Sequence, residues 1–373
     1  MAETITPSYN IVKIAYYLKK LHFTGGTKVI AQHQDILREL GHEPYWFVEK
    51  VATDHKFSAP LTLINGPEEM LSYGIELLVV NKPDDYWRCE PLARKHGMKL
   101  VYLSQGYEID FMNVRMENKI AESRSVLGAS MEKLKWGMKK RPISSLYSSR
   151  TLKWCVSPYL MKVLAKHETP TRLVRNNVPP EFHRATDKSN SKPVILSVGD
   201  FAHGRKNIKT LYNALELTTS QEFHLNRVTP SPISAEETKV APKNTEFHIG
   251  VDDDKVAGLT RQADIVVSTS LDEGFGLPAL EGMATGALCV LSDIGAYRSF
   301  AEIDPDTPKD YALFFNPHDA SELARVLDAA LDNPDKFDHI RNNGLEIASH
   351  YTPEKTKEDL SNALQETILH PPG

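Results

Sequence analysis

The sequence predicts an α/β protein built as two doubly wound domains that face each other across a cleft. Three observations carry this. Apolar, β-branched runs alternate with stretches of helical periodicity along nearly the whole chain, the pattern of parallel sheets covered by helices on both faces. A polar, proline-led stretch without period, "PPEFHRATDKSNSK" at 179–192, splits that alternation in two and reads as a linker. The 373 residues are too many for one typical domain and suit two. The expected units are Rossmann-like domains over residues 1–180 and 190–350, with a helix over 353–370 packing back on the first.

In the first half the expected strands are "NIVKIAYYL", "PYWFV", "LTLIN", "IELLVV", "KLVYLSQ" and "TLKWCVS". Between the first two lies the helix "TKVIAQHQDILRELG", in which Val29, Ile30, His33, Ile36, Leu37 and Leu40 recur at three- and four-residue steps and Gly41 marks the stop. His33 on that face is expected in the core. After the linker the strands are "PVILSVGD", "EFHLNRV", "TEFHIG", "DIVVSTS", "ALCVLS" and "YALFFN", separated by helices such as "KNIKTLYNALELT" and "DASELARVLDAAL". Ligands of such sheets collect at the carboxyl ends of the strands, so the site is expected between the domains.

Composition excludes several classes. A formal charge of −5 does not advertise nucleic acid or a membrane surface. Cys89, Cys155 and Cys289 lie far apart without metal-ligand or pairing spacing, which suits core residues in a reducing compartment. The start "MAETITPSYN" lacks a basic stretch followed by an apolar one, and no run approaches the roughly 20 apolar residues that span a bilayer. The expected location is the cytoplasm. Residues 131–142, "MEKLKWGMKKRP", interleave basic residues with Leu134, Trp136 and Met138. They read as a solvated helix or as a contact with anionic lipid at the inner face of a membrane.

The stretch "LDEGFGLPALEG", residues 271–282, carries the chemistry. It follows a strand and runs into a helix whose first turn suits Pro278. Gly274 and Gly276 allow close approach of a ligand, and the N–H groups of Phe275, Gly276 and Leu277 face the cleft as at any helix N-terminus, favouring phosphate or sugar oxygens. Glu281, one turn on, can accept paired hydrogen bonds from the vicinal hydroxyls of a ribose. "GFGLPA" also matches the dinucleotide fingerprint, with Asp293 19 residues beyond the first glycine. Against a nicotinamide-dependent oxidoreductase, Glu273 and Glu281 flank the turn and would repel a pyrophosphate, and the unit sits late in its sheet.

Glu273 and Glu281 within "EGFGLPALE" resemble the paired-glutamate motif of glycosyltransferase family 4, retaining enzymes of the GT-B fold. "ILSVGDFAHGRKNIKTLYNAL" is similar to the strand, loop and helix that open the family's nucleotide-binding domain. "LVRNNVPPEF" resembles the segment entering the linker, and "HFTGGTKVIAQHQDILRELGHE" the first glycine-rich turn and helix. The resemblance implies that Glu281 binds the donor ribose, that Glu273 contacts the transferred sugar and that Lys206 neutralises the donor diphosphate. The co-substrate is then a nucleotide-diphosphate sugar and the acceptor a glycan or lipid-linked glycan, with neither cofactor nor nucleic acid required. The Gly199 turn and Val251, near the base-locating residues 248–251, complete the donor side.

Charge arguments agree. Cationic and N–H groups lower the barrier by meeting charge that develops on the leaving diphosphate, which Lys206 and Arg205 can do just past the first strand of the second domain. Where many relatives place an arginine after the "VG" turn, this chain has Asp200, so a catalytically degenerate accessory subunit is the alternative. On the acceptor side, Gly25 and Gly26 open a helix after the first strand, and "LSQGYEID" places Gln105 and Tyr107 at the cleft edge. Gln105 stands where many relatives have histidine; it cannot act as a base but can orient a hydroxyl. Asp252, Asp253 and Asp254 are explained by helix capping, so no metal is expected. A hydrolase built on two carboxylates fits poorly, because the helix geometry gives Glu273 and Glu281 different tasks.

Overall fold

The computed structural model describes residues 11–53, 55, 57, 59–121, 126–184, 190–220 and 222–369. The opening "MAETITPSYN", the middle of the expected linker (185–189) and residue 370 of the last helix lie outside the described residues. Within them the chain forms two parallel sheets. The first holds β1 (Lys13–Leu21), β2 (Glu43–Val51), β3 (Thr62–Leu63), β4 (Leu77–Val80), β5 (Lys99–Ser104), β6 (Leu152–Cys155) and β7 (Thr171–Leu173) in the order β3-β2-β1-β4-β5-β6-β7. The second holds β8 (Val194–Val198), β9 (His224–Thr229), β10 (Thr245–Ile249), β11 (Ile265–Ser268), β12 (Leu288–Ser292) and β13 (Leu313–Phe315) in the order β10-β9-β8-β11-β12-β13. In both, strand order reverses beside the first strand, between β1 and β4 and between β8 and β11. Crevices for ligands open at such switch points.

The inner strands are apolar because both faces are covered. "LLVV" of β4 and "LKWC" of β6 are buried at every position. The exception by chemistry is Lys153 in β6, whose Nζ donates to the Ser149 carbonyl at 2.7 Å and the Ser149 hydroxyl at 2.9 Å. Burial pushes its ammonium down to about 7. His33 is fully buried on the helix Gly25–Glu39, with Nδ1 3.0 Å from the Tyr16 hydroxyl. The three cysteines are free and buried.

Two edges differ from expectation. "LTLIN" contributes only Thr62 and Leu63, which pair with Phe47 and Val48. β7 was not visible in the sequence: "TRL" is partly exposed, with no alternation to betray it. The helix Gly25–Glu39 begins two residues before the stretch "TKVIAQHQDILRELG", with the glycines that were expected to open it. Thr24 caps it, accepting from Thr27 N–H at 3.3 Å while Thr27 Oγ1 accepts from Thr24 N–H at 3.0 Å, which places Gly25 and Gly26 in the first turn.

The last helix, Pro353–Leu369, returns to the first sheet. Trp154 of β6 donates its indole N–H to Thr367 at 3.3 Å, and Arg175 grips the Asp359 carboxylate at 2.5 and 2.9 Å. Leu360 is fully buried at that seam. Leu360→Ala is expected to cost about 2–5 kcal/mol, the range for a buried leucine left as a cavity. Urea unfolding checks this, and a loss below about 1 kcal/mol would mean the helix is not part of the first domain's core.

Candidate functional site

The loop after β11 and the helix Leu277–Ala284 bring the two glutamates into the cleft by different routes. Glu273 lies in the loop, 8 % exposed, and its Oε1 accepts from Lys206 Nζ at 2.5 Å and from the Ser270 hydroxyl at 2.9 Å. Burial alone would raise its carboxyl, but Lys206, then Arg205 and the two hydrogen bonds, outweigh it and hold the group below the ordinary glutamate value. Glu281 lies in the helix, also 8 % exposed, and accepts no hydrogen bond from the described residues. Burial pushes its carboxyl up to about 7; nearby Lys28 opposes this, and Asp253 and Glu181 add to it. One glutamate is neutralised in place, while the other waits without a partner.

Glycine permits the turn between them. Gly276 has φ 100°, and a Cβ there would lie 2.3 Å from the ring of Tyr297. A Cβ on Gly274 would lie 2.0 Å from the carbonyl oxygen of Gln105 in the first domain. Ser157 of the first domain donates to the Gly274 carbonyl at 2.6 Å. The N–H groups of Phe275 and Gly276 have no hydrogen-bond acceptor among the described residues. The Phe275 ring does not face a ligand: it is buried in the core against Phe300 and Tyr351.

Lys206 ends a short 3-10 turn, Gly204–Lys206, after β8, and its side chain lies across Gly199, where a Cβ would come within 3.2 Å. Thr269 and Leu271 tie this turn to the loop after β11 by donating to the Lys206 carbonyl at 2.9 Å and the Arg205 carbonyl at 2.8 Å. Arg205 stands over the Phe111 ring at 5.3 Å and faces Asp272 at 3.8 Å. Asp200 faces elsewhere. It accepts from the Ser231 hydroxyl at 2.6 Å and from Ala202 N–H at 2.9 Å, so it folds its own loop and does not hold Arg205.

On the facing side, Gly25 comes close to Leu277: a Cβ there would lie 3.4 Å from the leucine Cδ1. Gln105 is engaged at both ends of its amide, the nitrogen donating to the Gly26 carbonyl at 2.9 Å and the oxygen accepting from Asn81 at 2.9 Å. It fastens the Gly26 turn to the end of β4. Tyr107 is not brought to the others: its hydroxyl meets His167 Nε2 at 2.8 Å and its ring stacks on Tyr147. Val251 is half-buried beside Asp252, which caps the helix Asp253–Gln262 by accepting from Lys255 N–H at 2.9 Å. Asp253 pairs with Lys28 across the cleft. His248 is bonded to Asn226 at 3.0 Å. Among the described residues no group of three or more His, Cys, Asp or Glu side chains could hold a metal ion.

Several residues at the site had no weight in the sequence. Asp272, Asp110 and Tyr159 line a pocket of about 290 Å³ with Glu273 and residues 294–296. Glu108 lies half-buried between the hydroxyls of Tyr102 and Tyr147, and desolvation raises its carboxyl to about 7. Asp110 and Glu108 belong to the quoted "LSQGYEID" and Asp272 to "LDEGFGLPALEG". The available signal was a carboxylate in the loop or first helical turn that follows a strand end.

Comparison with known proteins follows this geometry. Residues 192–333 match the family described as Glycosyl transferases group 1. The MMP alpha-(1->4)-mannosyltransferase of Mycolicibacterium hassiacum is 37% identical over 95 residues, 26% of this chain and 22% of that protein. The matched stretches span about a fifth of the length of the first curated relatives, 22% and 19%. Among solved structures, sucrose-phosphate synthase from Thermosynechococcus elongatus superposes with TM-score 0.74 at 17% identity, covering 96% of this chain and 99% of that one. Anabaena HepE in complex with UDP-glucose gives 0.72 at 14% identity, covering 95% and 99%. The second domain of this protein thus matches the glycosyl transferases group 1 model over residues 192–333, and the chain has the two-domain GT-B fold of these solved structures.

Proposed function

We propose that the protein is a retaining glycosyltransferase of the family 4 type. It moves a sugar from a nucleotide-diphosphate donor to a hydroxyl of a glycan or lipid-linked glycan, without a metal ion. The observation that carries this reading is the Lys206–Glu273 pair beside Arg205, together with the carboxyl of Glu281, buried one turn into the helix that follows and accepting no hydrogen bond from the described residues. A diphosphate laid over the Gly199 turn meets Lys206, Arg205 and the unpaired N–H groups of Phe275 and Gly276. The ribose then supplies the two hydroxyl donors that Glu281 lacks. The resemblance to transferases acting on mannose and glucose donors, and to HepE with UDP-glucose, supports the class of co-substrate.

In the reaction, the bond from the anomeric carbon to the diphosphate oxygen breaks while the acceptor oxygen attacks the same face. The proton of the acceptor hydroxyl passes to the departing phosphate oxygen. Glu273, held ionised by Lys206, is a poor proton donor and suits the positive charge that develops on the sugar. The helix Val126–Tyr147 bears on acceptor delivery. It exposes Met131, Leu134 and Met138 among Lys133, Lys135 and Lys139, a composition that suits contact with an anionic lipid surface at the cytoplasmic face. No described helix is long and apolar enough to cross a membrane.

Three outcomes test the reading. A panel of UDP-, GDP-, ADP- and dTDP-sugars should contain one that raises the melting temperature, since a ligand at about 100 times its Kd adds about 2.7 kcal/mol. With that donor, turnover should survive excess EDTA, and Lys206→Ala should cost roughly 100- to 1000-fold, the scale for losing one transition-state charge stabiliser. Activity that appears only when cell extract is added would instead make the chain an accessory subunit.

Glu281 gives a pH signature. Its folded pKa, about 7, lies above the unfolded value, so the folded state binds the extra proton, and the unliganded protein loses stability as pH rises through that window. Glu281→Gln should therefore stabilise the free protein at pH 8 by on the order of 2 kcal/mol and change little near pH 4, while weakening nucleoside diphosphate binding. Melts across pH with calorimetry check both; a destabilised variant at pH 8 would contradict the unpartnered carboxyl.

A further inference from the structure

The 290 Å³ pocket beside Glu273 bears on what receives the sugar, and the inference rests on the reading above. Its volume is at the small end of ligand pockets, about 300–1,000 Å³, room for one ring and not a chain. Among the described residues, every charged side chain lining it is a carboxylate: Asp110, Asp272 and Glu273. Asp272 is 7 % exposed and its Oδ2 accepts no hydrogen bond; the Arg205 guanidinium comes no nearer than 3.8 Å. A buried polar oxygen left so costs about 1–3 kcal/mol. Burial also raises the Asp272 carboxyl to about 6, against the pull of Arg205. Asp110 takes only a long bond from the Tyr159 hydroxyl, 3.3 Å, and keeps capacity for further donors.

Neutral O–H groups answer these needs without adding charge. An anion would meet three carboxylates, and the two nearest cations are already drawn towards them: Lys206 is bound to Glu273, and Arg205 faces Asp272 at 3.8 Å. Tyr159, lying against Gly295 so that a Cβ there would come within 2.5 Å of its ring, closes the wall. We infer that this pocket binds the acceptor as an uncharged, hydroxyl-bearing ring whose O–H groups donate to Asp110 and Asp272, and that it excludes rings bearing phosphate or carboxylate.

Saturation-transfer NMR on the full chain tests this with methyl α-mannoside and methyl α-glucoside as neutral probes and glucuronate and glucose 6-phosphate as anionic ones. A saturating nucleoside diphosphate keeps the phosphate of the probe away from Lys206. The neutral probes should bind and the anionic ones should bind at least about tenfold more weakly. Asp272→Asn should weaken the neutral probes, and Asp110→Lys should invert the preference towards glucuronate, an outcome that a purely structural role cannot produce. Should Asp272→Asn fail to fold, the inversion alone decides. Equal or tighter binding of the anionic probes, no binding of any probe, or indifference to Asp110→Lys would overturn the inference. If no nucleoside diphosphate binds, the donor reading fails, and the comparison of methyl glycosides with glucuronate, run without nucleotide, still decides the pocket.

Discussion

The cleft depends on one contact between two stretches of backbone. At Gly274 the chain of the second domain runs so close to the Gln105 carbonyl that no side chain could stand between them. Ser157 fixes the same peptide from another loop of the first domain. Two loop ends, each projecting from the carboxyl edge of its own sheet, are thereby pressed together, and Glu273 and Asp272 are carried to within reach of groups more than 100 residues away. Substituting Gly274 would remove no functional group, yet it would separate the walls of the site.

Around that contact charge is arranged in opposed pairs that are not equally satisfied. Lys206 and Glu273 meet at hydrogen-bond distance, whereas Arg205 and Asp272 stand apart, both with buried polar atoms that lack partners. Glu281 accepts no hydrogen bond from any described residue. Buried groups in this condition raise the free energy of the empty protein, and a ligand that supplies the missing donors and acceptors recovers that energy on binding. The instability of the unliganded cleft and its affinity have the same origin.

Much of this was legible in the sequence. Strands β8 to β13 were visible because a buried parallel sheet needs nearly continuous apolar runs, and the helices because their apolar steps follow the helical period. The placement of Glu273 and Glu281 at the cleft was legible because glycine and proline between strand and helix mark a turn with exposed N–H groups, and that of Lys206 from its position just past the first strand of the second domain. What stayed hidden were relations across the cleft. Nothing local to Lys28 announces Asp253, and nothing in "QGYEID" distinguishes Asp110, which lines the pocket, from Tyr107, which turns to His167. Phe275 serves two sides at once: its N–H belongs to the turn, while its ring, on which the sequence was silent, packs in the core. β7 went unnoticed and the third strand was drawn too long, because edge strands of two or three residues carry too little burial to leave a pattern.

The returning helix has a consequence for how the protein is made. Trp154 waits 213 positions for the hydroxyl of Thr367, and Arg175 waits 184 for Asp359. During synthesis the first domain emerges first, but one wall of its sheet stays bare until the second domain has been translated in full. The half that is begun first is finished last. The nascent chain must carry an uncovered apolar flank throughout, and the final helix acts as the clasp that seals it.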